Sequence, residues 1–400
     1  MRPRRIAIAY DCLFPYTTGG GERQYRGFAE RIAARGHRVD YLTTRQWDGP
    51  DPSEDAFAVV PITGRLDLYD DDGVRSTSAA LRYAWGLFRT LRRRRRSYDA
   101  VIVSALPALN VPAARLALLG SGTILVADYL EVWGRRQWLE YAGAVTGLLG
   151  WAAQRVAIAL TPIATCHSAL SERRLRAEGM RRPVLVSPGL IDARAEHGMR
   201  AEADSPPYVL YAGRHIPDKR VPVLPAAVAA ARVHLPELEL TILGDGPDGD
   251  AVDAAVDAAG AQDWTHRPGF VDEQRLDALM AGAACVVNPS RREGYGLVVV
   301  EAASHGTPTV LVRDEGNAAT ELIEDDVNGF VADSADAGTL GEALRRAVAA
   351  GPQLRARTYD WYTAAARTRT LTETVESILA TIDSAATARG GARTPQKEQP

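Results

Sequence analysis

The sequence predicts an α/β protein of two domains, each built on a parallel sheet wrapped by helices. Its 400 residues exceed the length that one hydrophobic core usually serves. Short apolar runs alternate with helical patterns along the chain, which is typical of parallel sheets covered by helices. The alternation starts again near residue 208, after a polar, proline-containing interval at residues 194–207. We therefore expect two Rossmann-like lobes joined by a linker.

The predicted strands are short runs rich in β-branched and other apolar residues. A further strand is expected just before His167. In the first lobe the runs lie at residues 6–10, 39–43, 100–104, 123–127 and 184–187, and in the second lobe at 208–212, 238–243, 285–288 and 309–312.

The domain boundaries follow from these elements. We expect a first lobe at residues 1–193, the linker at 194–207, a second lobe at 208–358, a C-terminal helix at 359–386 and a tail of disordered composition at 387–400.

Composition excludes several classes of protein. The 47 basic and 50 acidic residues give a net charge of −3, so nothing favours a nucleic-acid partner. Three scattered cysteines, Cys12, Cys166 and Cys285, indicate reduced thiols rather than a disulfide framework or a metal site. The apolar run at the start of the chain is broken by Asp11, and we expect neither a signal peptide nor a membrane span. A cytoplasmic protein is predicted.

One stretch, RREGYGLVVVEAASHGTP at residues 291–308, directs the search for a site. A strand ends just before it, RREGYG is a loop, and residues 297–304 are predicted to form a helix. Parallel sheets bind ligands outside the carboxyl ends of their strands, so Glu293 lies in a candidate binding loop. Glu301 lies one turn past Leu297 and is expected to face the same crevice.

A phosphate group is the ligand that the surrounding residues favour. The backbone at Gly294 and Gly296 allows close approach, and free N–H groups at a helix start attract anions. Two cations, Arg214 and Lys219, follow the strand at 208–212 and could clamp a diphosphate. One carboxylate would then accept hydrogen bonds from sugar hydroxyls while the other holds a ribose, so a nucleotide sugar suits the site.

The segment EGYGLVVVE resembles the motif of family-4 retaining glycosyltransferases, in which seven residues separate two glutamates. That family has the GT-B fold, two Rossmann-like lobes with parallel sheets facing a central cleft. The resemblance covers nearly the whole chain. The other similar stretches are TTGGGERQ, SPGLID, AGRHIPDKR, LGDGP and PGFVDEQRLDALMAGAACVVNPS.

The resemblance implies roles for the lobes and for individual residues. The first lobe would bind the acceptor and the second a UDP- or GDP-sugar, with UDP favoured, while the helix at 359–386 crosses back to the first lobe. The implied contacts are Glu293 with donor-sugar hydroxyls, the backbone of Gly294, Tyr295, Gly296 and Leu297 with the diphosphate or sugar, Glu301 with the ribose, Arg214 and Lys219 with the diphosphate, Gly269, Phe270 and Val271 along the base, and Gly19, Gly20 and Gly21 beneath the diphosphate.

Some of these residues also have a purely structural interpretation. Gly244 is a candidate edge of the donor site but is equally ordinary turn chemistry. The glycines at 19–21 fail the dinucleotide fingerprint, because Gln24 occupies the place of the third glycine.

The first lobe departs from the family pattern. Members often carry a histidine after the strand that corresponds to residues 123–127, whereas this chain reads VADYLEVW. Asp128 or Tyr129 could stand in that place as the residue facing the reacting sugar. His167 follows another strand and could also enter the cleft, or it could be a partly buried neighbour of a helix cap.

Two further charge patterns receive less weight. Asp70 and Asp72 imitate an Asp-any-Asp metal motif but lie in a polar loop, so no metal site and no cofactor are predicted. The run Arg92 to Arg96 could contact the inner face of an anionic membrane, or it could be a solvated helix end.

The predicted function is transfer of a glycosyl group of the hexosyl type from a nucleoside diphosphate sugar to an acceptor hydroxyl or amine. Retention of the anomeric configuration is implied by the resemblance. Arg214, Lys219 and the helix start would stabilise the charge that develops on the diphosphate without a metal. Glycan, glycolipid and natural-product acceptors remain open. The alternatives are a nucleotide-sugar 2-epimerase and a catalytically silent sugar-nucleotide-binding module.

Overall fold

The computed structural model describes residues 2–52, 54–68, 75–192 and 198–391. The chain divides into two compact units. The first comprises the described residues up to Leu190 and again those from Leu371 onward, and the second is Ile191–Thr370. Asp70 and Asp72, weighed above as a metal motif, lie outside the described residues.

The first unit contains a seven-stranded parallel sheet. Its strand order is β3-β2-β1-β4-β5-β6-β7. Its central strands are buried on both faces, which explains their unbroken apolar sequences. The strands are β1 (Arg5–Ala9), β2 (Arg38–Thr44), β3 (Ala58–Thr63), β4 (Ala100–Ser104), β5 (Ile124–Tyr129), β6 (Ile163–Cys166) and β7 (Val184–Val186).

The helices of the first unit connect these strands and cover the sheet. They are α1 (Gly20–Ala34), α2 (Thr77–Arg93), α3 (Asn110–Ala117), α4 (Arg135–Leu160) and α5 (Ala169–Ala177), together with α12 (Leu371–Gly391) from the end of the chain.

The second unit has a six-stranded parallel sheet of order β10-β9-β8-β11-β13-β15 and a short pair, β12 and β14. The strands are β8 (Tyr208–Ala212), β9 (Glu239–Leu243), β10 (Thr265–Gly269), β11 (Cys285–Asn288), β12 (Arg292–Glu293), β13 (Thr309–Val312), β14 (Gly316–Asn317) and β15 (Gly329–Ala332). The helices are α6 (Leu224–Arg232), α7 (Gly249–Ala258), α8 (Glu273–Gly282), α9 (Leu297–Ser304), α10 (Ala337–Ala349) and α11 (Gly351–Ala365).

The two parallel sheets confirm the predicted fold class, and the nine strands given by range all occur within two residues of their predicted positions. The strand expected before His167 is β6. Five strands were not predicted: the edge strands β3, β10 and β15, and the two-residue strands β12 and β14, of which β12 lies within the loop predicted at RREGYG. Pro61 interrupts β3, Pro268 lies in the largely polar β10, and β15 has only four residues and begins with glycine.

The C-terminal region differs from the prediction of one helix at 359–386. It is the end of α11 followed by α12, with a break at residues 366–370. At the break Ile191 donates a backbone hydrogen bond of 3.1 Å to the carbonyl of Arg369, and Thr370 bridges Ile191, so the backbone there pairs instead of continuing the helix. Helix α12 also extends through residues 387–391 of the predicted tail, and residues 392–400 lie outside the described chain.

Helix α4 is an exception to the expectation that no segment could span a membrane. Within the described ranges it is the one helix that is long and apolar enough to do so, by length and composition alone. It has 26 residues, and its apolar window has a mean hydropathy of 1.2 and is 22% buried. Gly143, with φ 76° and ψ −179°, divides this segment into two helices. The chain folds back there, because a Cβ on Gly147 would overlap the carbonyl oxygen of Trp138. The charged residues of its first two turns obscured the apolar stretch in the sequence.

Candidate functional site

The loops that follow β8, β9 and β10 lie against one another in the second unit. Gly213 N–H donates to the Leu243 carbonyl at 3.3 Å, and Gly244 N–H donates to the Gly269 carbonyl at 2.9 Å. Gly244 has φ 101°, and a Cβ on it would overlap the carbonyl oxygen of Gly213. Only glycine therefore permits this approach, which brings the predicted residues Gly244 and Gly269 beside the loop that carries Arg214.

Glu293 is the centre of a hydrogen-bonded group at the carboxyl end of β11. Lys219 forms an ion pair with its Oε1, and Asn288 Nδ2 donates to the same oxygen at 2.9 Å. Ser290 in turn donates to Asn288 Oδ1 from both its hydroxyl and its backbone N–H. Lys219 and Glu293 are only 22% and 16% exposed, so the pair is largely shielded from water.

The charge state of Glu293 follows from these contacts. Burial acts to raise the pKa of its carboxyl, but the Lys219 charge and hydrogen bonds from Lys219, Asn288 and Ser290 outweigh burial, so the pKa lies below its ordinary value. The carboxylate is thus an ionised acceptor at neutral pH. An ionised acceptor of this kind can receive hydrogen bonds from ligand hydroxyls.

Strand order explains why Lys219 reaches Glu293. Because β8 pairs with β11, the loops after these two strands are neighbours. Arg291 N–H donates to the Asp218 carbonyl at 2.8 Å, and Arg292 forms an ion pair of 3.4 Å with the Asp218 carboxylate. Both contacts fasten the Lys219 loop to the Glu293 loop.

Arg214 is exposed on the same loop after β8. Its carbonyl accepts a 3.0 Å hydrogen bond from the hydroxyl of Tyr211, a buried residue of that strand. Burial, followed by the negative charge of Glu293, raises the pKa of Tyr211. Tyr211 is therefore electrostatically coupled to Glu293 while it supports the backbone of Arg214.

Helix α9 begins at Leu297, as predicted, directly after Gly296. Gly296 has φ 101°, and a Cβ on it would overlap the Ala319 side chain, so the entry to the helix requires glycine. Tyr295 and Leu297 pack against an apolar cluster. Glu301 lies in the second turn of α9 and is partly exposed. The helix start and both glutamates thus belong to one loop-helix unit.

The segment proposed for the nucleotide base combines a turn with an exposed aromatic ring. Gly269 ends β10, Val271 packs against the apolar core, and the Phe270 side chain between them is 72% exposed. The exposed ring is available to stack against a planar group.

Sequence reasoning missed four polar residues of this group: Asn288, Ser290, Asp218 and Arg292. The available signal was the position of Asn288 at the end of an apolar strand, followed by Pro289 and Ser290. Polar side chains at the carboxyl end of a parallel strand are exposed to any ligand held there.

In the first unit Asp128 and His167 lie together in a buried polar network. His167 Nε2 is 3.0 Å from Asp128 Oδ1, and its Nδ1 is 2.8 Å from the Ser187 hydroxyl. Tyr25 and Thr165 hydroxyls donate to the Asp128 carboxylate. Burial acts to raise the pKa of Asp128, but the His167 charge and the hydrogen bonds outweigh burial and lower it.

The same network reaches the predicted glycine loop. Gly19 precedes α1, and Gly20 and Gly21 form its first turn. One turn later Gln24 Nε2 lies 2.8 Å from His167 Nε2 and donates to Asp128 at 3.2 Å. Gln24, which breaks the dinucleotide fingerprint, is therefore the residue that joins the loop to Asp128 and His167.

Asp128 and His167 are too deeply buried to contact a ligand directly in this structure. Asp128 is 0% exposed and His167 is 3% exposed. Tyr129, the alternative to Asp128, faces the opposite side of β5 and is buried in the core, where its hydroxyl lies 2.8 Å from Thr161 Oγ1. Asp128 thus acts in this structure as a buried acceptor for Tyr25 and Gln24.

No group of three or more histidine, cysteine, aspartate or glutamate side chains that could hold a metal occurs in the ranges that the structure describes.

Comparisons with known proteins match both units. A family model described as "Glycosyl transferase 4-like domain" matches residues 19–189, and one described as "Glycosyl transferases group 1" matches residues 192–360. The chain is 30% identical over 164 residues to alpha-D-kanosaminyltransferase of Streptomyces kanamyceticus, covering 41% of this chain and 42% of that protein. It is 35% identical over 190 residues to D-inositol 3-phosphate glycosyltransferase of Salinispora tropica, covering 42% and 39%. These matches span about two fifths of each relative.

Solved structures show the same fold at low identity. Sucrose-phosphate synthase from Thermosynechococcus elongatus has a TM-score of 0.77 and 17% identity, covering 96% of this chain and 100% of that one. HepE from Anabaena, solved in complex with UDP and glucose, has a TM-score of 0.70 and 16% identity, covering 95% and 100%. Together with the two parallel-sheet units, the matches confirm the resemblance seen in the sequence: the chain belongs to the family-4 glycosyltransferases, an enzyme family with the GT-B fold.

Proposed function

We propose that the protein transfers a sugar from a nucleoside diphosphate sugar to a hydroxyl or amine acceptor, with retention of the anomeric configuration. The observation that carries the proposal is the ionised, shielded Glu293 held by Lys219 and Asn288 at the carboxyl end of β11. Glu293 can accept hydrogen bonds from sugar hydroxyls, and it lies beside the Lys219 cation and a glycine-containing loop that can bind a diphosphate. A sugar diphosphate requires both kinds of contact.

The donor contacts follow the chemistry of each group. Glu293 accepts hydrogen bonds from the donor sugar, and Glu301 accepts them from the ribose. Lys219 and Arg214 hold the diphosphate with the backbone from Gly294 to Leu297. The edge of the donor site lies at Gly244, and the base lies along residues 269–271 with its ring against Phe270. The crystallised complexes of HepE with UDP and with UDP-glucose support UDP as the nucleotide.

The reaction needs charge stabilisation at the leaving group. The bond between the anomeric carbon and the diphosphate oxygen breaks with its electron pair going to that oxygen, while the acceptor atom bonds to the anomeric carbon and loses its proton. Lys219, Arg214 and the N–H groups at the start of α9 stabilise the new negative charge on the diphosphate. When Lys219 turns toward the diphosphate, Asn288 keeps the Glu293 carboxylate hydrogen-bonded.

The first-unit residues have a supporting role in this proposal. Gln24, Asp128 and His167 fix the first turns of α1. They thereby also fix the glycines at 19–21, where α1 begins. Asp128 and His167 are positioning residues, since both are almost fully buried. We place the protein in the cytoplasm. Similarity to a protein named D-inositol 3-phosphate glycosyltransferase supports a small-molecule acceptor beside glycans and glycolipids.

The test is ligand-induced thermal stabilisation with UDP, GDP and their sugars, because a ligand that binds the folded state raises the melting temperature. We expect one nucleotide to stabilise the native protein and Lys219→Met to abolish that shift, while Glu293→Gln should abolish the additional shift that the nucleotide sugar produces. The matched control is the exposed pair on α10, Glu342→Gln and Arg345→Met, which should leave the shift unchanged.

Turnover then separates the alternatives. Donor and an acceptor panel are followed by time-resolved NMR. Formation of an epimer from donor alone would establish a 2-epimerase, and nucleotide binding with neither epimer, transfer nor donor hydrolysis would establish a silent module. A product with inverted configuration, or no nucleotide binding at all, would refute the proposal.

A further inference from the structure

Helices α2, α3 and α4 of the first unit lie on one side of its sheet, the side on which α5 also packs. The connections from β3 to β4, β4 to β5 and β5 to β6 all advance in the same direction through the strand order, so right-handed crossovers put α2, α3 and α4 on the same side. In agreement, α2 packs against α3 and α3 packs against α4. The connection from β1 to β2 runs in the opposite direction, so α1 lies on the other side, where it packs with α12.

Helices α2, α3 and α4 each present large apolar side chains to solvent. We call the outward surface the three-helix face. Its apolar members and their exposed fractions are Leu81 (55%) and Trp85 (60%) on α2, Leu116 (53%) on α3, Leu119 (51%) just after α3, and Val145 (74%), Leu149 (66%) and Val156 (49%) on α4.

Helix α4 is apolar on the side that faces water. Val145, Leu149, Ala152 and Val156 recur at helical spacing along its exposed side, and no charged residue occurs between Glu140 and Arg155. The opposite side, which carries Gln154, Ala157 and Ile158, is buried within the unit. A helix that buries one side in protein and offers an uncharged apolar stripe to solvent marks an interaction site.

The charged residues of α2 and α3 are all basic. Helix α2 carries exposed Arg82, Arg89, Arg92 and Arg93, and α3 carries Arg115, while neither helix contains an acidic residue. The whole chain has a net charge of −3, so this cationic surface is local.

The arginine run at 92–96, interpreted above either as a membrane contact or as a solvated helix end, is only part of this surface. Arg94 is paired with Asp40 at 3.5 Å, while α2 continues the cationic surface upstream to Arg82.

Aromatic residues with polar ring atoms accompany the apolar stripe. Trp133, Trp138 and Tyr141 form a half-buried cluster at the start of α4, with ring centroids 5.1 Å apart for Trp133 and Trp138. Rings of this type are enriched where a protein meets the headgroup region of a bilayer.

We propose that the three-helix face docks on the surface of an anionic phospholipid bilayer. The arginines bind headgroup phosphates, and Trp85, Val145 and Leu149 enter the boundary between headgroups and acyl chains. The part of α4 after Gly143 lies in the plane of the surface, since its other side is buried against the protein. A second copy of the chain is a poorer occupant, because pairing two such faces would bring arginines of equal charge together. The proposal does not depend on the proposed transferase activity.

The test is co-sedimentation of the full chain with vesicles of phosphatidylcholine alone and of phosphatidylcholine with about 30 mol % phosphatidylglycerol. We expect binding to the anionic vesicles that weakens with salt. A basic residue near such a surface contributes roughly fivefold in affinity, so Arg89→Glu with Arg92→Glu should weaken binding at least about 25-fold. Val145→Asp with Leu149→Asp should weaken it at least about tenfold, since insertion scales with buried apolar area.

Matched controls exist elsewhere in the chain. Val233→Asp alters a side chain that is 78% exposed on the second unit, and Arg275→Glu alters an exposed arginine on α8 of the same unit; both variants should bind as the native protein does. All variants should keep the native circular dichroism spectrum. Equal binding to both vesicle types, equal losses in the controls, or no binding would each overturn the proposal. So would a dimer in light scattering that Leu149→Asp dissociates, because the face would then join two copies.

Discussion

Removing Lys219 should destabilise the second unit through the carboxylate that it leaves behind. In Lys219→Met the Glu293 side chain, 16% exposed, would keep its charge at pH 7 without its cation. Breaking a buried ion pair on one side costs about 3 to 5 kcal/mol. The lower end applies here, because the pair is partly exposed and Asn288 still donates to Glu293. We expect a loss of about 3 kcal/mol, or about 1.5 M in urea midpoint at an m-value of about 2 kcal/mol per M.

A double-mutant cycle isolates this pair. Glu293→Gln should cost less than Lys219→Met, since the amide keeps the Asn288 hydrogen bond and Lys219 can turn to water. The double variant should regain about 2 kcal/mol relative to the sum of the single losses. Urea unfolding is read by pulsed hydrogen exchange and mass spectrometry on peptides of the second unit, which separates it from the first. The exposed pair Glu342 and Arg345 serves as the control cycle and should show no measurable coupling.

The pH dependence gives the sign of the effect. The pKa of Glu293 is lowered in the native protein, so the pair stabilises above the unfolded pKa of about 4.3 and the contribution is lost as pH falls through the lowered value. Without Lys219, burial raises the pKa of the Glu293 carboxyl against the hydrogen bonds from Asn288 and Ser290 alone, and the carboxyl can relieve the cost of burial by protonation. The gap between native protein and variant should therefore be constant from pH 6 to 8 and narrow in acid, at a pH set by the raised pKa of the variant. An unchanged midpoint for Lys219→Met, or additive losses in the cycle, would refute the reasoning.

Three further predictions concern single side chains. Phe270→Ala should leave the melting temperature unchanged, because the ring is 72% exposed. Isothermal calorimetry should show about threefold to tenfold weaker UDP binding, because the stacking contact is lost. An unaltered affinity would show that Phe270 does not contact the base. Asp128→Asn should cost about 3 kcal/mol in urea unfolding of the first unit, since the amide offers a donor to Tyr25 and Thr165, which are themselves donors; near-native stability would contradict the buried network. Arg355→Leu should lower the free energy of unfolding of the second unit by at least about 3 kcal/mol, because this fully buried guanidinium donates to the backbone carbonyls of Ala281 and Ala283 at 2.7 Å. A loss below about 1 kcal/mol would show that water satisfies those carbonyls in place of the guanidinium.

The sequence was sufficient to predict most of the fold because apolar runs in a buried parallel sheet carry their own pattern. Four strands, among them β8 and β11, were predicted to the residue, whereas the edge strand β3 contains a proline and lacks the unbroken apolar run.

Which side chains pair within the site could not be predicted from the sequence, because the pairing depends on which strands lie side by side in the sheet. Glu293 and Lys219 are 74 positions apart, and they meet because β11 lies beside β8, a neighbour relation set by topology. Similarly, Asp128 and Tyr129 both follow an apolar run, and only the pleat of β5 decides that Tyr129 enters the core. Loop position was therefore predictable, while pairing across loops was not.

The two-part first unit has a consequence for biosynthesis. Four side chains of α12 are buried in that unit, so its early segment is completed only after the whole second unit has been translated. The four are Val375, Ile378, Leu379 and Ile382. The second unit is continuous from Ile191 to Thr370 and can fold on the ribosome while the first still exposes the apolar groove that α12 will cover. Termination before Leu371 would therefore leave a chain with one finished domain and one that exposes apolar surface to chaperones and proteases.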